Sequence, residues 1–322
     1  MSRSEPGRRV ARAGVGGTHV QPTPRILLAA QRDALEQHFG GIRNADPEAV
    51  HDARVASRRM RELLPLCVDQ RDERYAEVRE LGRRLGQVRD CDVEIGLLNE
   101  FEERVPRAGG LLAVRRHTTV LTRENRLRQV IKTLSDDAGQ FAPVFPMPPA
   151  HAVQDRLWTA GWRERLRSRV NRRRERAVEA LDCATGVYFP NRLHRARIAI
   201  KKLRYAAEVA RETGLFTDTG RALRPIRRAQ DLLGDIHDRE LLRGFLTTQI
   251  DSRLDGDGAS MLLPCVDYEI AWRHRRFLTR RTDLIEACQA IRLDRPQLRR
   301  IAASAASIGV ATALLAISQG RR

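Results

Sequence analysis

One stretch of this chain is written twice, and an internal repeat constrains the fold before any other feature does. Residues 50–64 read VHDARVASRRMRELL and residues 193–208 read LHRARIAIKKLRYAAE. A shift of 143 positions (194 less 51) pairs His51 with His194, Arg54 with Arg197, Arg58 with Lys201, Arg59 with Lys202 and Arg61 with Arg204. A second motif follows each copy, LGQVRDCD at 85–92 and LGDIHDRE at 233–240. These lie 148 apart (233 less 85), so the second half carries five extra residues between its motifs. Arg79 and Arg227 stand at the same distance before the shared glycines, Gly86 and Gly234. Further on, VLTR ending at Arg123 matches FLTR ending at Arg280, with Arg116 and Arg273 equally placed before them. Each half repeats one order: a basic helix, an LGxxxD helix and a further Arg-bearing helix.

Neither copy of the first motif contains Gly or Pro, and Ala, Leu, Arg and Lys favour helix. At about 3.6 residues per turn, His51, Arg54, Arg58 and Arg61 share one face, and Ala53, Ala56, Met60 and Leu64 share the opposite one. In the second copy the basic face is His194, Arg197, Lys201 and Arg204. Its apolar face is Ala196, Ala199, Ile200, Leu203 and Ala207. Both are amphipathic helices with one packed side. A solvated helix face normally mixes signs, because opposite charges one turn apart attract and like charges repel. This face is nearly pure cation, and it recurs. A stripe that costs stability in both halves is better explained by an anionic ligand than by solvent.

The whole chain points the same way. Its 322 residues hold 59 Lys and Arg against 41 Asp and Glu, a net charge of +18. Such a surplus suits a polyanion: nucleic acid, an anionic membrane surface or polymeric phosphate. Arg far outnumbers Lys, which fits bidentate grip on phosphate oxygens and equally fits a GC-rich genome. Aromatic residues make up only 5%, too few for a base-stacking platform. Five scattered cysteines with no CxxC or Cys/His ligand spacing indicate reduced thiols and a cytoplasmic protein. The first 21 residues lack the apolar core of a signal peptide.

No phosphate-binding glycine loop, HExxH, GxSxG or paired-acid motif is present, so catalytic residues, metal and cofactor are all read as none. Asp90, Asp92 and Asp238 are expected to pair with arginines, since charges in a packed setting need partners. His51 and His194 begin the stripe. They are read either as hydrogen-bonded structural histidines or as phosphate donors that charge when ligand binds.

The chain divides into a disordered basic tail (1–21), a first helical half (22–140), a Pro-rich linker (141–155), a second helical half (156–292) and a hydrophobic C-terminal helix (293–322). A first helix is predicted from Pro24 to about Ile42, ended by Gly40-Gly41. Asp46-Pro47-Glu48 then starts the key helix, which runs to about Val68. Helices follow over Asp72–Arg104, with a break near Gly86, and over Gly110–Leu134. Arg156–Leu181 is a strongly basic helix carrying Arg165, Arg169, Arg172, Arg173 and Arg176. No β-alternating run is present, so the fold class is all-α, a pair of four-helix bundles joined by the linker. Residues 301–319 carry no charge. They read either as a packing or self-associating helix or as a membrane span, their length being marginal for crossing.

The motifs VHDARVASRRMREL, LGQVRDCDV, LHRARIAIKKLRYAAE and LGDIHD together resemble the CHAD domain family, the conserved histidine α-helical domain, over roughly Pro24 to Ala290. The resemblance implies an internally duplicated all-helical fold with pseudo-twofold symmetry and a basic cleft or pore. It also implies non-catalytic binding of inorganic polyphosphate and association with polyphosphate granules. The family often accompanies a CYTH-type triphosphatase, but no ExExK signature is present here. The candidate polyphosphate-binding residues are His51, Arg54, Arg58, Arg59, Arg61, Arg79, Arg83, Arg116, Arg123, Arg172 and Arg176 in the first copy and the linking helix. In the second they are His194, Arg197, Lys201, Lys202, Arg204, Arg227, Arg273 and Arg280. The alternatives are a non-specific nucleic-acid binder and, with least to rest on, a phosphate-processing enzyme.

Overall fold

The computed structural model describes residues 21–68, 73–142, 161–218, 221–252 and 256–293. The expected basic tail, most of the Pro-rich linker and the uncharged C-terminal stretch lie outside the described residues. Those described are helical, with no strand among them. The helices are α1 (Pro24–Gln37), α2 (Phe39–Arg43), α3 (Pro47–Cys67), α4 (Glu73–Arg104), α5 (Gly109–Leu134), α6 (Trp162–Cys183), α7 (Pro190–Glu212), α8 (Leu223–Ser252), α9 (Gly256–Thr279) and α10 (Arg281–Ala290). A 3₁₀ turn, Pro106–Ala108, joins α4 to α5. Among them no helix is long and apolar enough to cross a membrane.

The key helices start and pack as their residues dictate. Asp46 caps α3, its Oδ1 accepting from the Glu48 backbone N–H at 3.0 Å, with Pro47 at the first helical position. Pro190 likewise opens α7. On the inward side of α3, Ala53, Ala56, Met60 and Leu64 are buried, and on α7 so are Ala196, Ile200, Leu203 and Ala207. Ala199 is only partly buried. α3 packs between α1 and α4, and α4 packs on α5; α7 packs between α6 and α8, and α8 packs on α9. Contacts between the halves run from α3 to α6 and α7, from α4 to α8, and from α5 to α9. The buried apolar residues form one cluster through both halves.

Two glycine readings are corrected. The first helix ends at Gln37, not after Ile42, and Gly40 and Gly41 lie inside α2 rather than stopping a helix. Gly41 is there for close approach: a Cβ on it would stand 2.5 Å from Ala49 Cβ on α3, whereas one on Gly40 would meet nothing within 4 Å. Gly41→Ala should therefore cost about 1–3 kcal/mol through overpacking, while Gly40→Ala should gain up to about 1 kcal/mol through helix propensity. Thermal unfolding followed by circular dichroism checks the pair, and equal melting temperatures would remove the packing explanation. The expected break near Gly86 is also absent, for α4 runs unbroken through it. Gly86 faces Arg54 of α3, whose Nε would be in ordinary contact, at 3.6 Å, with an added Cβ.

Arginines tie the halves together. From α6, Arg169 Nη1 donates to the Glu62 carbonyl oxygen at 2.7 Å and Arg173 Nη1 to the Glu62 carboxylate at 2.6 Å. Arg165 Nη2 donates to the Leu66 carbonyl at 2.8 Å. Elsewhere the buried Glu269 of α9 receives Arg104 of α4, Arg239 of α8 and, at 2.7 Å, Arg273 of α9. Burial alone would push the Glu269 carboxyl up. The hydrogen bonds from Arg104 and Arg239, with the charges of Arg239 and Arg273, outweigh burial and hold it below the usual range.

Candidate functional site

The basic stripes of α3 and α7 meet where the halves touch. Arg58 Nη1 of α3 donates to the Tyr205 hydroxyl of α7 at 2.9 Å. Lys201 is one turn before Tyr205 and Arg197 one turn before Lys201, so the α7 cations lie beside those of α3. The electrostatics record the crowding. Burial first, then the charges of Arg58, Arg54, Arg197 and Arg61, push the Lys201 ammonium down to about 7. Arg54 falls to about 10, through burial, then Arg58, with Arg197 adding and Asp90 opposing. Among the described residues Arg54 has one ion pair, to Asp90 at 3.3 Å, and its buried Nε has no partner. Burial disfavours the charged forms, and the neighbouring cations push in the same direction.

Beside this cluster lies a cleft of about 720 Å³ between α3, the start of α4, α6 and α7. Arg61, Arg79, Arg169, Arg173, Arg176, Arg195 and Lys202 line it against one carboxylate, Glu62, with His194 and Tyr75. Arg61 belongs to both cluster and cleft. Burial, then His237 and Arg197, lowers the His194 imidazole, whose ring stands 5.2 Å from that of His237. The Nδ1 of His51 is buried without a hydrogen-bond partner among the described residues. A second recess of about 770 Å³ holds Arg172, with Arg165, Arg167, Asn171 and the start of α6.

The structure thus gathers Arg54, Arg58, Arg61, Arg79, Arg176, His194, Arg197, Lys201 and Lys202 at or beside the α3–α7 contact, while His51 sits one turn before Arg54 on α3. Arg59 lies next to it, 3.5 Å from Glu212. Arg204 stacks on the Tyr205 ring at 4.6 Å and reaches Glu208 at 3.8 Å. Other candidates are committed elsewhere. Arg123 joins Asp92 at 2.5 Å and the Ala45 carbonyl at 3.0 Å, holding Ala45 in its left-handed conformation. Arg227 is 2.8 Å from Glu208, Arg273 is drawn to Glu269, and Arg116 is held by Glu102. Arg83 pairs with Glu80 at 2.6 Å on the surface. Exposed Arg280 precedes α10 as its N-cap residue.

Of the acids expected to pair, Asp90 and Asp92 do. Asp238 makes no ion pair among the described residues, and burial pushes its carboxyl up against the pull of Arg197. Residues missing from the predicted set are Tyr205, Arg169, Arg173 and Arg195. Tyr205 carried a signal, since the repeat aligns it with Glu62 and a departure from the repeat marks a half-specific role. Among the described residues no group of His, Cys, Asp or Glu is placed to hold a metal ion.

An all-helical chain with its repeated basic helices set side by side defines the class. The chain belongs to the CHAD domain family, whose model matches residues 26–247. Its fold is similar to that of PptA from Streptomyces chartreusis, with a TM-score of 0.55 and 15% identity over 81% of this chain and 99% of that one. It is also similar to the crystal structure of the CHAD domain from the plant Ricinus communis, with a TM-score of 0.47 and 20% identity over 90% and 99% of the two chains. A comparison with curated proteins finds no match.

Proposed function

We propose that the protein binds inorganic polyphosphate along the cationic surface of α3, α6 and α7, holding the polymer by charge and geometry without reacting with it. The observation that carries this reading is Lys201, pressed among Arg54, Arg58, Arg61 and Arg197. A packed chain gains nothing from such repulsion unless an anion arrives to relieve it. A string of phosphates supplies repeated oxyanions for forked guanidinium donors, and membership of the CHAD family supports this choice of ligand. The reading places the protein in the cytoplasm, at polyphosphate granules.

Competition tests it. Long-chain polyphosphate should displace bound duplex or single-stranded DNA at far lower phosphate concentration than the reverse. If DNA displaces polyphosphate as readily, the chain is a non-specific polyanion or nucleic-acid binder. Binding should weaken with salt, the log–log slope steepening by about 0.7 per phosphate neutralised, taking single-stranded nucleic acid as the guide.

Affinity should also rise as pH falls from about 8 to 6. In the empty site Lys201 is half charged near 7, and His194 is held neutral to lower pH than usual. A bound polyanion reverses the local field and raises both values, so binding takes up protons. Above about 7 each proton taken up costs up to about tenfold in affinity per pH unit. Lys201→Arg replaces a titrating cation by one that stays charged and should flatten most of the slope, with His194→Gln removing the remainder. Titrations across this range decide it. A slope unchanged in Lys201→Arg would return proton uptake to His194.

A further inference from the structure

Only three of the 59 basic residues are lysines: Lys132, Lys201 and Lys202. Two sit together on α7, and Lys201 occupies the centre of the cationic cluster, where the first copy of the repeat has Arg58. A guanidinium there would be always charged and chemically inert. An ammonium differs in one respect that matters here, since it can lose its proton and become a nucleophile.

The geometry around it is that of a receptor for a small phosphate. Arg197 lies one turn before Lys201 on the same face. Tyr205 lies one turn after, and its hydroxyl anchors Arg58 at 2.9 Å beside the amine. Arg54 and Arg61 flank Arg58 on α3, Arg61 opens onto the 720 Å³ cleft, and Lys201 itself is only partly buried. We propose that Lys201 is a site of non-enzymatic acylation by small acyl phosphates, whose phosphate docks on Arg58, Arg61 and Arg197 while the amine takes the acyl group.

The step balances without a further reagent. The Lys201 Nζ lone pair forms a bond to the acyl carbon. The bond from that carbon to the phosphate oxygen breaks, its electron pair leaving with the phosphate. The proton shed by nitrogen goes to the departing phosphate, so the products are an N-acyl lysine and hydrogen phosphate. The guanidinium groups stabilise charge on the leaving oxygen. With the ammonium pushed down to about 7, about half the amine is neutral at pH 7, against on the order of one in a few thousand for an ordinary lysine. A desolvated lysine beside other cations is a recognised form of activated amine nucleophile. Acylation removes a cation from the cluster. If polyphosphate is the ligand, as proposed above, it also weakens polyphosphate binding.

The test uses the full chain with acetyl phosphate as probe, following acetylation of the three lysines by mass spectrometry at pH 7.5. Lys201 should be modified at least about tenfold faster than Lys202 or Lys132, and excess orthophosphate should suppress labelling at Lys201 but not at Lys132. With acetic anhydride, which has no phosphate to dock, orthophosphate should protect Lys201 far less. Equal rates at the three lysines, or Lys201 labelling by acetyl phosphate indifferent to orthophosphate, would overturn the proposal. All of this is read on unaltered protein, so no folding defect can confuse it. Polyphosphate binding by the unlabelled chain is measured alongside. Absent selectivity with binding intact removes the acylation site alone, and selective labelling without binding removes the polyphosphate reading alone.

Discussion

Alanine at both Arg197 and Lys201 should weaken polyphosphate binding by on the order of a hundredfold or more, and alanine at both Arg54 and Arg58 should do the same. Each charge-assisted hydrogen bond is worth about 1.5–3 kcal/mol when made, and screening at a half-open surface trims that. Two such bonds still leave roughly 3 kcal/mol, or about two decades in affinity. The equality of the two variants matters more than their size. Arg54 and Arg58 come from the first half and Arg197 and Lys201 from the second, yet they face one another across the α3–α7 contact. Fold stability should suffer little by charge loss, because each substitution relieves repulsion among neighbours. Arg280→Ala, remote from the cluster, should bind within about threefold of the parent. Calorimetric titration with circular dichroism as a folding control checks the set. A double variant that stays helical and binds like the parent would show that the two halves do not share one ligand.

The largest effect on stability should come from Glu269→Ala. Its carboxylate, with a side chain only 8% exposed, receives Arg104, Arg239 and Arg273, and Arg239 is itself 6% exposed. Removing it strands buried guanidinium charge, which typically costs about 3–5 kcal/mol and in a chain of this size lowers the melting temperature by roughly 10 °C. Glu100, 44% exposed beside the same Arg239, should cost under about 1 kcal/mol when replaced by alanine. The sign of the acid response follows from the depressed Glu269 value. Its stabilisation is fully present above the unfolded value near 4.5 and is lost as pH falls through the folded one. Melting curves of the parent should therefore fall away below about pH 4.5 more steeply than those of Glu269→Gln. If Glu269→Ala melts within about 2 °C of the parent, the network is ornament rather than support.

Much of this was legible along single helices. Ala53, Ala56, Met60 and Leu64 announced the buried side of α3 by spacing alone, and His51, Arg54, Arg58 and Arg61 its cationic side. Gly41 was misread because a glycine that stops a helix and one that lets two helices touch are the same letter; only Ala49 across the gap distinguishes them. Arg123 was counted with the ligand residues because sequence gives the direction of a side chain on its own helix, not which acid another helix brings to it. Arg273 and Arg204 are different. Glu269 lies four residues before Arg273 and Glu208 four residues after Arg204, each on the same helix, so those pairings were readable and were passed over. The basic helix α6 held both kinds of arginine: Arg165, Arg169 and Arg173 turn inward to α3, while Arg172 and Arg176 stay outside.

Those inward arginines have a mechanical consequence. The halves are stitched at Glu62 and again at Glu269, and parting either seam breaks charge-assisted contacts to a buried carboxylate. A receptor built so cannot gape and snap shut on its cargo. If polyphosphate is the ligand, as proposed, it is accepted on a track already formed, so capture would be governed by encounter and electrostatic steering rather than by a closing step. Along such a track a chain of identical phosphates meets the same footing at every register. It can therefore shuffle lengthwise without letting go, leaving most readily when one of its ends runs off the track.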